Sequence, residues 1–369
     1  MRSNPRILSY HVSMAAHYWR QQFESGGQNA EDIQQQFEDM LRGMQLYLSH
    51  DYERNNAHLE RVYKDGSLTI LSFGAHDYQS DKPALLLVPS LINKAHIFDL
   101  TEKRSMLRYF CDQGIDAYLL DWGEFLHDPD MQNLDNVVCK KLFKAAAFLQ
   151  GEYSQNLHAL GYCMGGSLLA GFAAIQSDVF RSLSFMAAPW DFHAGTQEIL
   201  DRVKFWQPSL GKSLIQEDMM KVDWLQILFS SLNPEQALHK FSKFADYKEG
   251  SDAQEIFVAI EDWLNDGVPL PAGVAQEAVQ DWFLSNNPCQ GKWVLDGEAV
   301  ELSSIDIPSL VIASSKDRLV EYDMAVPLHA QIKDAELIDP ECGHIGMIAG
   351  RDAVESVWRH IADWVLKNQ

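Results

Sequence analysis

Asn156-Leu-His-Ala-Leu-Gly-Tyr-Cys-Met-Gly-Gly-Ser-Leu-Leu-Ala-Gly-Phe-Ala-Ala174 changes character halfway along. Its first residues, 156–161, form a short apolar run suited to a buried strand. The run breaks at Gly161-Tyr-Cys163-Met-Gly165-Gly166, and the small apolar residues that follow suit a tightly packed helix. A Gly-x-Cys-x-Gly sequence between strand and helix has a physical reason. A nucleophile held on a strained turn crowds its neighbours, so glycine is needed two residues before it and two after. The turn lifts the sulfur above the sheet edge and aims a helix N-terminus at it, which favours an anion there. The plainer reading is a buried structural cysteine beside a glycine turn. A strand on one side and an Ala/Gly/Leu helix on the other favour the nucleophile.

Around that stretch lie 369 residues, 46% of them hydrophobic, enough for a large core with a substantial insertion. With 30 Lys+Arg against 52 Asp+Glu the formal charge is −22, spread along the chain. Such a surface repels nucleic acid and anionic membrane, so neither is expected as a partner. The five cysteines (Cys111, Cys139, Cys163, Cys289, Cys342) are odd in number and lack CxxC or CxxH spacing. They read as reduced thiols of a cytoplasmic protein, with no disulfide framework and no metal site. The first residues lack the apolar core of a signal peptide, and no run approaches the roughly twenty apolar residues of a membrane span.

Upstream, residues 61–74 suggest hairpin strands about an Asp-Gly turn. Buried strands are expected in the run beginning Pro83-Ala-Leu-Leu-Leu-Val88, in 114–123, 156–161, 183–188, 308–314 and 335–339. Helices are expected over 100–111, 135–150 and, with the apolar stripe Val354, Val357, Trp358, Ile361 and Val365, over 353–366. Continuous apolar strands alternating with helices argue for an α/β fold whose mostly parallel sheet is covered on both faces. From 195 to 292 the rhythm turns helical (197–206, 218–231, 252–264, 273–284), with Pro/Gly loops at 207–211 and 266–273 and no strand between. Residues 1–60 form an N-terminal helical region, with a hinge expected at 21–28. In 30–47, Ile33, Phe37, Met40, Leu41, Met44 and Tyr47 recur at three and four. That stripe suits a helix packed on its own chain; the alternative is a docking face for a partner.

The strand–elbow–helix unit within such a sheet resembles the α/β-hydrolase superfamily. The chain then divides into 1–60, a core of 61–194 with 293–369, and a helical cap, 195–292, inserted over the sheet's carboxyl edge. In that fold nucleophile, acid and base follow in this order, the last two after successive strands. Asp317, in Ser315-Lys-Asp317-Arg, stands where the acid belongs, with Asp323 and Asp339 as rivals. His344, in Gly343-His-Ile-Gly346, stands where the base belongs, between glycines that would let its loop reach the elbow. The oxyanion hole should use the backbone N–H of Met164 and one from the loop after 83–88, either Leu91 or Ile92; Pro89 has no N–H to give.

Collinear pieces make a closer resemblance. Pro89-Ser-Leu-Ile-Asn-Lys94, Ile97-Phe-Asp-Leu100, Tyr118-Leu-Leu-Asp-Trp-Gly123, Gly161-Tyr-Cys-Met-Gly-Gly166, Pro189-Trp-Asp-Phe192, Trp293-Val-Leu-Asp-Gly-Glu-Ala-Val-Glu-Leu302, Ser315-Lys-Asp317 and Gly343-His-Ile-Gly346 are similar to polyhydroxyalkanoate synthases. The likeness is to the short type that works with a partner subunit, and it runs from about residue 60 to the C-terminus. It implies that Cys163 carries the growing acyl chain, His344 deprotonates it, and Asp317 acts through the histidine on the incoming hydroxyl. It implies (R)-3-hydroxyacyl-coenzyme A as substrate with no cofactor, a polyester product, polymer granules as the place of work, and a helical partner subunit, for which 30–50 is a candidate docking face. A cap that closes implies activation by opening or by homodimerisation. Arg318 departs from the family, which usually has histidine after the acid, and the first sixty residues match poorly. An intracellular polyester depolymerase or thioesterase with the same three residues, and a non-catalytic granule subunit, are the competing expectations.

Overall fold

The computed structural model describes residues 8–26, 29–74, 82–153, 157–232 and 236–369. The end of the expected hinge (27–28) and the first residue of the expected nucleophile strand, Asn156, lie outside the described residues, as does the extreme N-terminus, 1–7. The chain divides into two compact units, 55–220 with 267–369, and 1–54 with 221–266.

The larger unit is built on an eight-stranded sheet. Its strands are β1 (Leu59–Asp65), β2 (Leu68–Phe73), β3 (Ala84–Val88), β4 (Asp116–Asp121), β5 (Leu157–Tyr162), β6 (Phe180–Met186), β7 (Ser309–Ile312) and β8 (Glu336–Ile338). They lie in the order β1-β2-β4-β3-β5-β6-β7-β8. Only β2 runs against its neighbours. The expected Asp-Gly turn joins β1 to β2, with Gly66 at φ +62°. Every residue of β3, β5 and β7 is buried, so these strands are mostly apolar rather than alternating, and the buried His158 of β5 is paired with the Ser182 hydroxyl at 2.7 Å. The sheet reverses its order at β3, so the loops after β3 and β5 face one crevice at the carboxyl ends of the strands, where open α/β sheets place their sites.

Between Leu100 and Cys111 the structure differs from the expected helix. Asp99–Thr101 pairs with Arg104–Ser105 as a small ribbon, and the helix starts at Met106, where the Ser105 hydroxyl accepts the Arg108 N–H at 3.0 Å. A serine that can cap sets the boundary more sharply than apolar spacing does.

The expected 195–292 insertion is also drawn differently. Helix Glu198–Glu217 and the turns from Ala272 to Leu284 belong to the sheet-bearing unit, as do residues 55–58 ahead of β1. The expected loop at 207–211 is helix, with Pro208 inside it. Ile199, Leu200, Val203, Leu210 and Leu214 keep one buried stripe through the proline, and that burial outweighs the missing hydrogen bond. Where no strand was expected, Met219–Met220 pairs with Leu270–Pro271 and closes the base of the helical excursion.

The smaller unit contains helices Leu8–Glu24, Ala30–Ser49, Val222–Leu232, Gln236–Ala245 and Asp252–Asn265, the fourth unforeseen from the sequence. Met40, Met44 and Tyr47 are buried against Phe241, Phe244 and Val258. Gly43 sits so close to the Phe241 backbone that a Cβ would strike its carbonyl. Most of the apolar stripe of 30–50 is therefore covered by helices of its own chain, as the plainer reading had it, while Leu41 stays exposed.

Candidate active site

Cys163 follows β5 directly, with φ +54° and ψ −130°, a region glycine normally occupies. Its N–H is tied to the Met186 carbonyl at the end of β6 at 2.9 Å, and its own carbonyl receives Gly166 N–H at 2.9 Å. Gly161 and Gly165 are there because backbone meets backbone, and Gly166 because a Cβ would strike that of Ala188. A Cβ on Gly161 would lie 2.5 Å from Gly166 Cα, and one on Gly165 would land on the carbonyl oxygens of Val88 and Pro89. Trp122 Nε1–H holds that Pro89 carbonyl at 3.1 Å, so it has no room to withdraw. Gly165→Ala is expected to cost about 3 kcal/mol, the upper end for overpacking. Gly211→Ala, in a helix with open space around it, should be neutral or slightly stabilising. Urea-unfolding midpoints of the two variants check this pair.

His344 meets both of its expected partners. Its Nδ1 lies 2.7 Å from Asp317 Oδ2, and the other carboxylate oxygen accepts Leu319 N–H at 2.8 Å and Val320 N–H at 3.1 Å. Asp317 is buried, and those bonds leave it one orientation. Burial alone would lower the histidine's pKa. The Asp317 carboxylate, and after it the charge and hydrogen bonding of Cys163, overcome that and raise it to about 10. The ring is thus held between carboxylate and sulfur. The rival carboxylates are engaged elsewhere: Asp339 Oδ1 accepts Ser315 N–H at 3.1 Å and Glu341 N–H at 2.9 Å, while Asp323 is exposed in the first turn of helix Tyr322–Gln331.

The loop reaches the elbow by other means than the glycines beside His344. Neither Gly343 nor Gly346 has positive φ; the left-handed residue is Glu341, at +50°. The Ser314 hydroxyl then joins the acid's loop to the histidine's loop, donating to the Cys342 carbonyl at 2.6 Å and accepting its N–H at 2.9 Å. Sequence reasoning overlooked Ser314, Trp122 and Tyr162, whose phenol reaches the His344 carbonyl. Only Tyr162 carried a signal, its place next to Cys163.

Of the two oxyanion candidates after β3, Ile92 is the weaker, because its N–H goes to the Ser90 hydroxyl at 3.2 Å. Leu91 and Met164 are both buried, Met164 as the residue directly after Cys163. Arg318 is exposed, so the departure from the family at this position lies on the surface beside the pair and not in it. Within the resembling segments 189–192 and 293–302, Trp190, Phe192, Trp293, Leu295, Val300 and Leu302 are buried packing residues. Trp293 lies 5.9 Å from Trp190 and 5.1 Å from Trp282, ring to ring, and fills the space left by Gly171.

A doubly covered sheet with a cysteine elbow facing a histidine and a buried aspartate defines a class. The chain belongs to the alpha/beta hydrolase fold family, whose model matches residues 145–350. Within that class it is similar to proteins named poly(3-hydroxyalkanoate) polymerase subunit PhaC, as its motifs implied. The protein of that name from Haloferax mediterranei is 28% identical over 83% of this chain and 63% of its own length. That from Allochromatium vinosum is 26% identical over 83% of this chain and 87% of its own. This chain therefore spans less than two thirds of the Haloferax relative. Among solved structures, an alpha/beta hydrolase fold protein from Nakamurella multipartita covers 83% of this chain and 98% of its own at a TM-score of 0.50, with 16% identity. That likeness concerns the fold alone. Among the described residues no helix is long and apolar enough to cross a membrane.

Proposed function

We propose that this chain is an acyltransferase of the polyhydroxyalkanoate synthase kind, joining (R)-3-hydroxyacyl groups from coenzyme A thioesters into a polyester. The observation that carries this is His344 held between the Asp317 carboxylate and the Cys163 sulfur, in a chain similar to proteins named for that polymerisation. In the first half-reaction the Cys163 sulfur attacks the thioester carbonyl. The backbone N–H groups of Met164 and Leu91 take the oxyanion, and coenzyme A leaves with the proton held by His344. One thioester replaces another, so loading is close to neutral in free energy. In the second, His344 takes the proton of an incoming 3-hydroxyl, and the alkoxide attacks the Cys163 thioester. An ester forms, and the proton returns to the sulfur. Asp317 fixes the ring and balances its charge in both steps. No cofactor takes part. The reading places the protein in the cytoplasm at the granule surface, with a helical partner subunit and a second copy of this chain as its protein contacts.

Incubation with (R)-3-hydroxybutyryl-coenzyme A, following released thiol and turbidity together, tests this. Both should rise together. Released thiol accompanied by free hydroxy acid and no turbidity would make the chain a thioester hydrolase instead.

A further inference from the structure

Tyr162 is the last residue of β5, one peptide bond before the nucleophile. Its hydroxyl donates to the His344 main-chain carbonyl at 3.3 Å, and its ring lies 4.9 Å from the imidazole at only 31° from parallel. Phe98 presses edge-on against the same ring at 6.1 Å. One side chain thus touches the base in two ways while its backbone carries the nucleophile.

We propose that Tyr162 is the positioning residue that sets His344 against Cys163, its hydroxyl tethering the histidine loop and its ring face accommodating the imidazolium charge. The proposal rests on the acyl-transfer reading above and assigns that site a fourth member. A cation buried away from water gains from the negative face of an aromatic ring, and the imidazole here is tilted 31° over that ring rather than edge-on. Burial, with the nearby Cys163, Asp317 and Cys342, pushes the phenol's pKa well above its ordinary value. Tyr162 therefore stays a neutral donor throughout the working range. The charged or titratable groups facing the two rings are those three, and Asp317 is the carboxylate bonded to the imidazole. The tether matters because the elbow is rigid and the histidine loop is not part of the sheet. A shift of a few tenths of an ångström in that loop changes the sulfur–imidazole contact without unfolding anything.

Two substitutions separate the parts. Tyr162→Phe keeps the ring contact and loses the tether. Alkylation of Cys163 by iodoacetamide at pH 7, read by peptide mass spectrometry, should slow about three- to tenfold, the loss of one hydrogen bond. The His344 midpoint in histidine-labelled NMR, assigned with His344→Gln, should stay where it is. Tyr162→Leu loses both contacts, and the midpoint should fall by about half a unit to one unit. With hydroxyacyl-coenzyme A, kcat should fall and KM stay constant in both. Wild-type alkylation in the Phe protein overturns the tether, and an unmoved midpoint in the Leu protein overturns the role of the ring. Should the Leu protein fail to fold by circular dichroism, Tyr162→Met, which fills similar space without an aromatic face, reads the ring's part by the same midpoint. Neither alkylation nor the NMR midpoint uses an acyl substrate. An enzyme that turned over no hydroxyacyl-coenzyme A would sink the acyl-transfer reading and still let Tyr162 be judged.

Discussion

Cys163→Ala is expected to stop coenzyme A release altogether, and Cys163→Ser to leave no more than about one part in a thousand of it. The alanine result follows from removing the atom that bonds to the acyl group. The serine result is the more informative, because serine is the usual nucleophile of this fold and differs from cysteine by one atom. The surroundings of His344 account for its failure. The histidine's pKa stands at about 10, raised by the Asp317 carboxylate and, after it, by Cys163. That pairing suits a sulfur able to carry negative charge. A serine hydroxyl does not ionise there, so the charge part of the Cys163 contribution disappears. The ring must then act as a base toward a far weaker acid. Neither variant disturbs the turn, since both new side chains tolerate φ +54° no worse than cysteine does, and melting temperatures should stay close to wild type. The measurement is thiol release from (R)-3-hydroxybutyryl-coenzyme A, with mass spectrometry of the intact protein for the acyl adduct. Release by Cys163→Ala at the wild-type rate would remove the nucleophile from the proposal.

The elbow was legible in the sequence because its constraint is local. Gly161 and Gly165 exclude any Cβ through nearby backbone, and Gly166 through the Ala188 Cβ, and such constraints leave glycine as their mark. Asp317 and His344 were legible for a related reason, since strand order in a parallel sheet dictates which loops converge. What escaped depends on contacts between distant residues. Ser314 joins two loops across 28 positions, and Tyr162 reaches its carbonyl across 182; in sequence each is an ordinary polar or aromatic residue. Helix Glu198–Glu217 was misread because Pro208 signals a break that buried Leu210 and Leu214 override. The glycines beside His344 were read correctly as a marker and wrongly as a hinge. They sit in ordinary backbone conformations, and Glu341 supplies the left-handed bend. The N-terminal helices gave up their amphipathic stripe readily, but not its occupant. Phe241 and Phe244, nearly two hundred residues on, cover Met40 and Met44.

Asp317→Asn should cost about three to four powers of ten in kcat and leave KM little changed. The substitution keeps shape and most of the hydrogen bonds, since an amide oxygen can still accept Leu319 N–H and Val320 N–H, as Asp317 Oδ1 does at 2.8 and 3.1 Å. What it changes is the atom facing the ring. Where Oδ2 accepted from Nδ1–H at 2.7 Å, an NH2 group now donates. The imidazole satisfies it only by losing the Nδ1 proton and carrying the other on Nε2, the nitrogen that must accept from the sulfur. The enzyme then holds its base in the wrong tautomer. The first cause raising the histidine's pKa is also gone, while burial, which lowers it, remains. The midpoint should fall from about 10 toward or below the ordinary histidine value near 6.5. Stability then acquires a different pH dependence. In the wild type a histidine raised in the folded state stabilises it fully below pH of about 6.5, and that contribution fades as pH rises toward 10. In Asp317→Asn it is missing from the start, so the two proteins should differ most at pH 6 and converge as pH approaches 10. Urea midpoints measured across that range, beside the NMR midpoint of His344, decide the matter. A gap that stayed the same from pH 6 to pH 10 would mean that Asp317 holds its loop through Leu319 and Val320 and not the charge of the ring.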